Sequence, residues 1–183
     1  EKVAAQGLPT SLNKKVYIVD TRTHTVTDTI ATGNTPRPIV LSRDGKRLFV
    51  NPDDFMGFLV LDIPGRKVLH QVAYELTKEE QAVPSRSHGI GITPDQREVW
   101  STDTAHSLVH VFDNTKDLPR QIARVGTGKT PYWVTFTPEG KTVYIANTGD
   151  DTVSVIDVAA KEERTRIQVG KGKAPKRLLV LTV

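Results

Sequence analysis

His88, Asp103 and His106 are the residues of this chain whose types best suit chemistry. Two imidazoles and a carboxylate can ligate a divalent metal, or hold a water between a base and an acid. Their spacing is no motif, so they act together only if the fold carries residue 88 to the loop that bears 103 and 106. A divalent metal held by these three is the one cofactor the residues suggest. The other histidines point elsewhere: His70 and His110 fall within strand-like runs, and His24 sits in a turn. The chain has no cysteine, which removes disulfides, thiol chemistry and thiolate metal sites. Gly126-Thr127-Gly128-Lys129-Thr130 lacks the Gly-x4-Gly-Lys spacing of a phosphate loop, and no helical pattern follows it. There is no Gly-x-Ser-x-Gly elbow, so serine-hydrolase chemistry has no support.

The elements that would position these residues are repeats. The segments VYIVD, FLVLD, LVHVFD and TVSVID end at Asp20, Asp62, Asp113 and Asp157, at separations of 42, 51 and 44 residues. A second marker keeps the same phase: Arg43-Asp44-Gly45-Lys46, Pro94-Asp95-Gln96-Arg97 and Pro138-Glu139-Gly140-Lys141. The long interval carries an insertion within Glu75 to Arg86, whose LTKEEQAV run could form a helical turn or two. Each unit reads as four strands, a to d, rich in Val, Ile, Thr, Tyr and Phe and separated by Gly, Pro and Asp turns. Strand a (IVLS, GIGIT, WVTFT, LLVLT) is apolar almost throughout, as a strand covered on both faces would be. Strand d (TVTDTIAT, KVLHQVAY, RQIARVG, RTRIQVG) is more polar, as an edge strand should be. The repeated aspartates open c–d turns, where a carboxylate accepts backbone N–H bonds.

Four-stranded units at this period form a β-propeller, an all-β fold of antiparallel blades. The expected domain is a single propeller over residues 1–183, with about four blades and sixteen strands. Lys2–Gln6 (KVAAQ) matches strand b, and the chain ends on strand a. The C-terminal strand could therefore enter the N-terminal b–c–d sheet and close the ring. Otherwise the chain is part of a larger ring, or two chains complete one as a homodimer. The run VYIANTGDDTVSVIDVAAKEERTRIQVGKGKAPKRLLV resembles the YVTN-type propeller repeat, a WD40-like unit. The fourth copy matches closely and the second departs most, with STDTAH where the family has an Asn-x-Gly turn. The resemblance covers nearly the whole chain from Val16. It implies an exported protein, periplasmic or extracellular, although no signal segment is present. Related propellers include lactonase-type and electron-transfer proteins.

In such a fold the d–a and b–c loops meet on one face, at the mouth of the central channel. The register places Arg37, His88, Tyr132 and Lys176 at the entry to strand a, followed by Trp133 and Arg177 in the next position. Asn51, Asp103 and Asn147 end strand b. This cationic mouth would attract a small anion or carboxylate. The formal charge of +4 gathers in the last quarter, at Lys161, Arg164, Arg166, Lys171, Lys173, Lys176 and Arg177. No ladder of stacking aromatics accompanies it, so nucleic acid is not expected. No apolar run approaches the ~20 residues of a membrane helix, so no membrane span is expected either. The leading expectation is a non-catalytic scaffold that binds a small anionic ligand or an unidentified protein through the channel-mouth face. The balance is against an enzyme. The alternative is a metal-assisted hydrolase of lactonase type centred on His88, Asp103 and His106, and a weaker one is an accessory subunit of a redox enzyme.

Overall fold

The computed structural model describes residues 14–84 and 87–181, and they form fourteen strands in four antiparallel sheets. A two-stranded sheet comes first, β1 (Lys15–Asp20) and β2 (Thr25–Ala31). Three four-stranded meanders follow. The second blade is β3 (Pro36–Leu41), β4 (Arg47–Pro52), β5 (Gly57–Asp62) and β6 (Lys67–Ala73). The third is β7 (Ser87–Ile92), β8 (Glu98–Asp103), β9 (Leu108–Asp113) and β10 (Arg120–Gly126). The fourth is β11 (Pro131–Phe136), β12 (Thr142–Asn147), β13 (Thr152–Asp157) and β14 (Glu162–Gln168). The insertion supplies one short helix, α1 (Lys78–Gln81), capped by Thr77 and Glu80 in a reciprocal box.

The turns follow from local chemistry. In the a–b turns the amides of Gly45, Gln96 and Gly140 donate to Ser42, Thr93 and Thr137 carbonyls at 2.8–2.9 Å. All three residues adopt φ between 66° and 72°, a region that glycine enters without steric cost. Gln96 enters it as well, and its side chain accepts from the Arg43 amide of the preceding blade at 2.8 Å, tying the two blades together. The c–d turns are the predicted aspartate turns. Asp20, Asp62, Asp113 and Asp157 accept the amides of Arg22, Gly65, Thr115 and Ala160 at 2.8–3.0 Å.

The core is distributed between blades. Strands b and c alternate their side chains between the two flanking interfaces, as a period of two requires. Leu48 and Val50 pack with Ile30, Val16 and Ile18 of the first sheet, whereas Phe49, Phe58 and Val60 pack with Ile90, Val99 and Phe112 of the third blade. Trp100, Val109 and Val111 then meet Val134, Val143, Ile145 and Ile156 of the fourth. Edge-to-face contacts of Phe58 with Phe112 (4.9 Å) and of Trp100 with Phe136 (5.8 Å) cross two of these seams.

Two expectations are corrected. Burial is deepest in strands b and c, while strand a is covered unevenly: β4 and β5 are almost wholly buried and β7 largely so, but β3 alternates half-buried with exposed. Strand a borders the channel, so only one of its lateral edges has a strand beside it. The C-terminal LLVLT run also forms no strand among the described residues, and among them β1 and β2 pair only with each other. Residues 172–178 instead lie along the fourth blade. Asp151 accepts the Gly172 and Ala174 amides, and the Thr148 and Thr135 hydroxyls donate to the Pro175 and Leu178 carbonyls at 2.9 and 3.0 Å. An extended segment becomes a strand only when another strand satisfies its amides, and none flanks this one. The strand expected over Lys2–Gln6 lies outside the described residues.

Candidate functional site

The inner strands present a file of aromatic and cationic side chains. His88, second residue of β7, stacks on Tyr132, second residue of β11, with ring centroids 3.6 Å apart and planes within 22°. The Tyr132 carbonyl lies 3.2 Å from His88 Nδ1, so that nitrogen donates. Lys176 continues the file, its ammonium 5.8 Å from the Tyr132 ring centre, and Arg177 covers Trp133 at 4.8 Å. Contacts at these distances are within cation–π range. Arg37, expected in the same row, turns to Asp53 at 3.2 Å. The row is thus continuous from His88 through Tyr132 to Lys176, with Trp133 and Arg177 one position further on.

The strand-b residues of the expected mouth sit deeper. Asn51, Asp103 and Asn147 are wholly buried and close their own b–c turns. Asn51 Nδ2 donates to the Gly57 carbonyl at 2.9 Å and to Ser101 Oγ at 3.0 Å. The Asn147 amide meets Thr152 Oγ1 and Ser154 Oγ at 2.9 and 2.8 Å. Asp103 accepts the His106 amide at 3.1 Å on one oxygen and faces His106 Nδ1 at 2.7 Å with the other.

The expected metal trio does not assemble. Among the described residues no group of three His, Asp or Glu side chains is arranged to hold a metal. The reason is that stacking draws His88 to the next blade, while the b–c turn folds Asp103 onto its own His106. The third partner is instead His110, fully buried on β9, with Nε2 3.4 Å from the same Asp103 oxygen. The pairing of Ser101 with His110 and of Asp103 with Leu108 sets Asp103 and His110 diagonally on one face of the hairpin. That relation becomes readable once the hairpin register is known. His110 stacks on Tyr74 at 4.1 Å, and its Nδ1 lies 3.0 Å from Gln121 Oε1. The same oxygen accepts the Glu75 amide, which identifies it as the carbonyl and makes His110 Nδ1 the donor. His106 Nε2 is buried with no hydrogen-bond partner among the described residues. Asp103 therefore orients an imidazole whose second nitrogen has a lone pair or proton to offer. The Tyr74 hydroxyl bonds Ser101 Oγ at 2.6 Å, and burial pushes its pKa far above the usual phenol value.

The opposite face carries a feature that the repeat markers did not flag. A groove of about 520 Å³ runs between the third and fourth blades, lined by Pro94, Glu98, Lys141, Asp157, Lys161 and Arg164. Two of its cations are paired: Lys161 bonds both Glu98 oxygens at 2.7 and 2.9 Å, and Arg164 bonds Asp157. Trp100 Nε1 donates to the same Glu98 at 2.9 Å. Arg166 is likewise paired with Glu163 at 2.8 Å. Much of the basic C-terminal quarter is thus engaged within the fold.

Comparison with solved structures fits this architecture. A chain of hydrazine synthase from Kuenenia stuttgartiensis superposes with a TM-score of 0.72 at 22% identity, covering 84% of this chain and 43% of that one. A chain of a mitotic checkpoint complex gives 0.68 at 15%, covering 85% and 44%. The periplasmic gluconolactonase of Pseudomonas aeruginosa gives 0.72 at 17%, covering 90% and 50%. The fold is a β-propeller. The chain spans about half the length of these proteins or less. No family model matches the sequence, and comparison with curated proteins gives no match. No helix among the described residues is long and apolar enough to cross a membrane.

Proposed function

We propose that this propeller is a binding module, exported to the periplasm or cell surface, that takes a small carboxylate- or phosphate-bearing anion on its inner-strand file. The observation that carries this reading is the juxtaposition of Lys176 and Arg177 with the faces of Tyr132 and Trp133, beside His88. Stacking on an aromatic plane holds each cation in a defined place, while its N–H groups remain able to meet an anion. The resemblance of the repeats to the YVTN type supports export. Titration calorimetry with citrate and with inorganic phosphate tests the reading. Saturable binding is expected, falling at least tenfold in a Lys176→Ala/Arg177→Ala double variant and weakening with salt. No saturable heat with either anion, or binding unchanged in the double variant, overturns it.

A second reading, hydrolysis of a lactone, draws on the oriented Asp103–His106 pair and on the gluconolactonase among the structural neighbours. It would use His106 Nε2 as the base toward water. Measurable opening of glucono-1,5-lactone above the spontaneous rate, abolished by His106→Asn, would favour it over pure binding.

A further inference from the structure

Ser101 pairs with His110 and His110 with Arg124, so these three side chains share one face of the third blade, with Asp103 beside them. Val99 and Phe112 lie on the same face and pack into the seam with the second blade. The insertion ahead of β7 is fastened to that face. Tyr74, which follows β6, stacks on His110. Leu76 packs on the apolar seam, and the Glu75 amide donates to Gln121 Oε1, the oxygen that also takes His110 Nδ1. Beyond Leu76 the attachment thins. Every residue from 77 to 84 is exposed except Glu80, which pairs with Arg124. Among the described residues that pair is the only polar tie from this stretch to a blade.

His106 lies next to this stretch. The Glu80 carboxyl is held below its usual value first by the Thr77 amide, then by Arg124, and in part by the charge of His106, which sets the imidazole close to α1. His106 Nδ1 is committed to Asp103 at 2.7 Å, while Nε2 is buried without a hydrogen-bond partner among the described residues. A polar atom left in that state costs free energy, which any opening to water or to a ligand recovers. We infer that residues 77–84 are a strap over His106, latched by Glu80 to Arg124, and that release of the latch opens Nε2 to solvent and to ligands. The fastening suits release. Both side chains of the pair are partly exposed, and an ion pair in that setting is weak and loosened by salt. Helix α1 buries none of its residues, so lifting it uncovers little apolar surface of its own. Few buried contacts are what a locally opening segment has. Tyr74, Leu76 and the Glu75–Gln121 bond would stay in place as the anchor. The inference goes beyond both readings of the function: it concerns access to His106, which lactone opening needs and anion binding at Lys176 and Arg177 does not.

Diethyl pyrocarbonate acylates an accessible neutral imidazole, and peptide mass mapping assigns the extent to each of the five histidines. In the unaltered chain His106 should label well behind His24, which is exposed. Glu80→Gln removes the charge of the latch but keeps a residue that can close the capping box of α1. It should raise the His106 rate about threefold, as loss of one such ion pair implies. Arg124→Gln should do the same, and high salt should raise the rate in the parent while leaving both variants unmoved. His110 is wholly buried and serves as the internal control, unlabelled throughout. A parent His106 that labels as fast as His24 overturns the inference, as does an unchanged His106 rate in the variants. So does labelling of His110 in step with His106, which would mean that the blade loosens rather than the strap. If one variant does not fold, the other variant and the salt dependence of the unaltered chain decide. Labelling needs neither lactone nor anion, so its failure leaves both functional readings to their own tests.

Discussion

Asp157 accepts the Ala160 amide, and that bond holds its carboxyl below the usual aspartate value; Arg22 and Thr115 amides do the same for Asp20 and Asp113. A carboxylate with a folded-state pKa below its unfolded value stabilises the fold above the unfolded pKa, and the contribution is lost as pH falls through the folded one. With an unfolded value near 3.9, urea midpoints should hold steady down to about pH 5 and drop as the pH falls below about 4. Asp157→Asn should flatten that drop, while a variant that falls off as steeply as the parent would show the turn carboxylate to be irrelevant. The groups are solvent-exposed, so the effect per turn is small and is best seen by comparing variants. At the same scale, Lys176 and Arg177 contribute to the candidate site through position as much as charge. Lys176→Gln should retain part of the stacking on Tyr132 while losing anion affinity, read as weaker binding with an unchanged thermal midpoint.

Each blade is held by what its b and c strands place in the two seams beside it. Phe58 is wholly buried and meets Phe49 and Phe112 edge-on. Phe58→Ala should cost ~3–5 kcal/mol, as deletion of a buried aromatic does, and lower the urea midpoint accordingly. Gly91 marks the opposite limit. Its backbone approaches Val134 closely enough that Gly91→Val would force the inner strands apart, costing ~1–3 kcal/mol by overpacking. A Gly91→Val variant as stable as the parent would mean that the seam between the third and fourth blades is looser than its distances imply. The insertion behaves differently. Helix α1 buries none of its residues and is fastened by Glu80 to Arg124, so it modulates the third blade rather than supporting it.

At the scale of the molecule, three apolar clusters link successive sheets in series, so the seams between blades rather than single blades carry the stability. Val60→Ala and Val143→Ala, wholly buried in different seams, should each lower the urea midpoint. The double variant should lose the sum of the two effects, because sites in separate clusters add. A loss clearly greater than the sum would mean that the two seams give way as one unit.

Strands, turns and blade phase were legible in the sequence because each is a local matter. Alternating β-branched residues, an aspartate that accepts its own turn's amides, and glycine at positive φ act over a few residues and repeat with the period. The inner file was legible for the same reason: once the register was set, His88, Tyr132 and Lys176 had to follow one another. What the sequence could not settle was the direction in which each side chain finds its partner. His88 follows Ser87, which pairs with Asp103, yet its ring stacks on Tyr132 of the neighbouring blade. Asp103 ended with His106 and His110 because hairpin register brings residues seven apart onto one face. Strand a is buried unevenly despite its apolar sequence, β7 largely covered and β3 partly exposed, since burial depends on what packs against each face. Local propensity therefore determined the blades, and packing between blades determined the site.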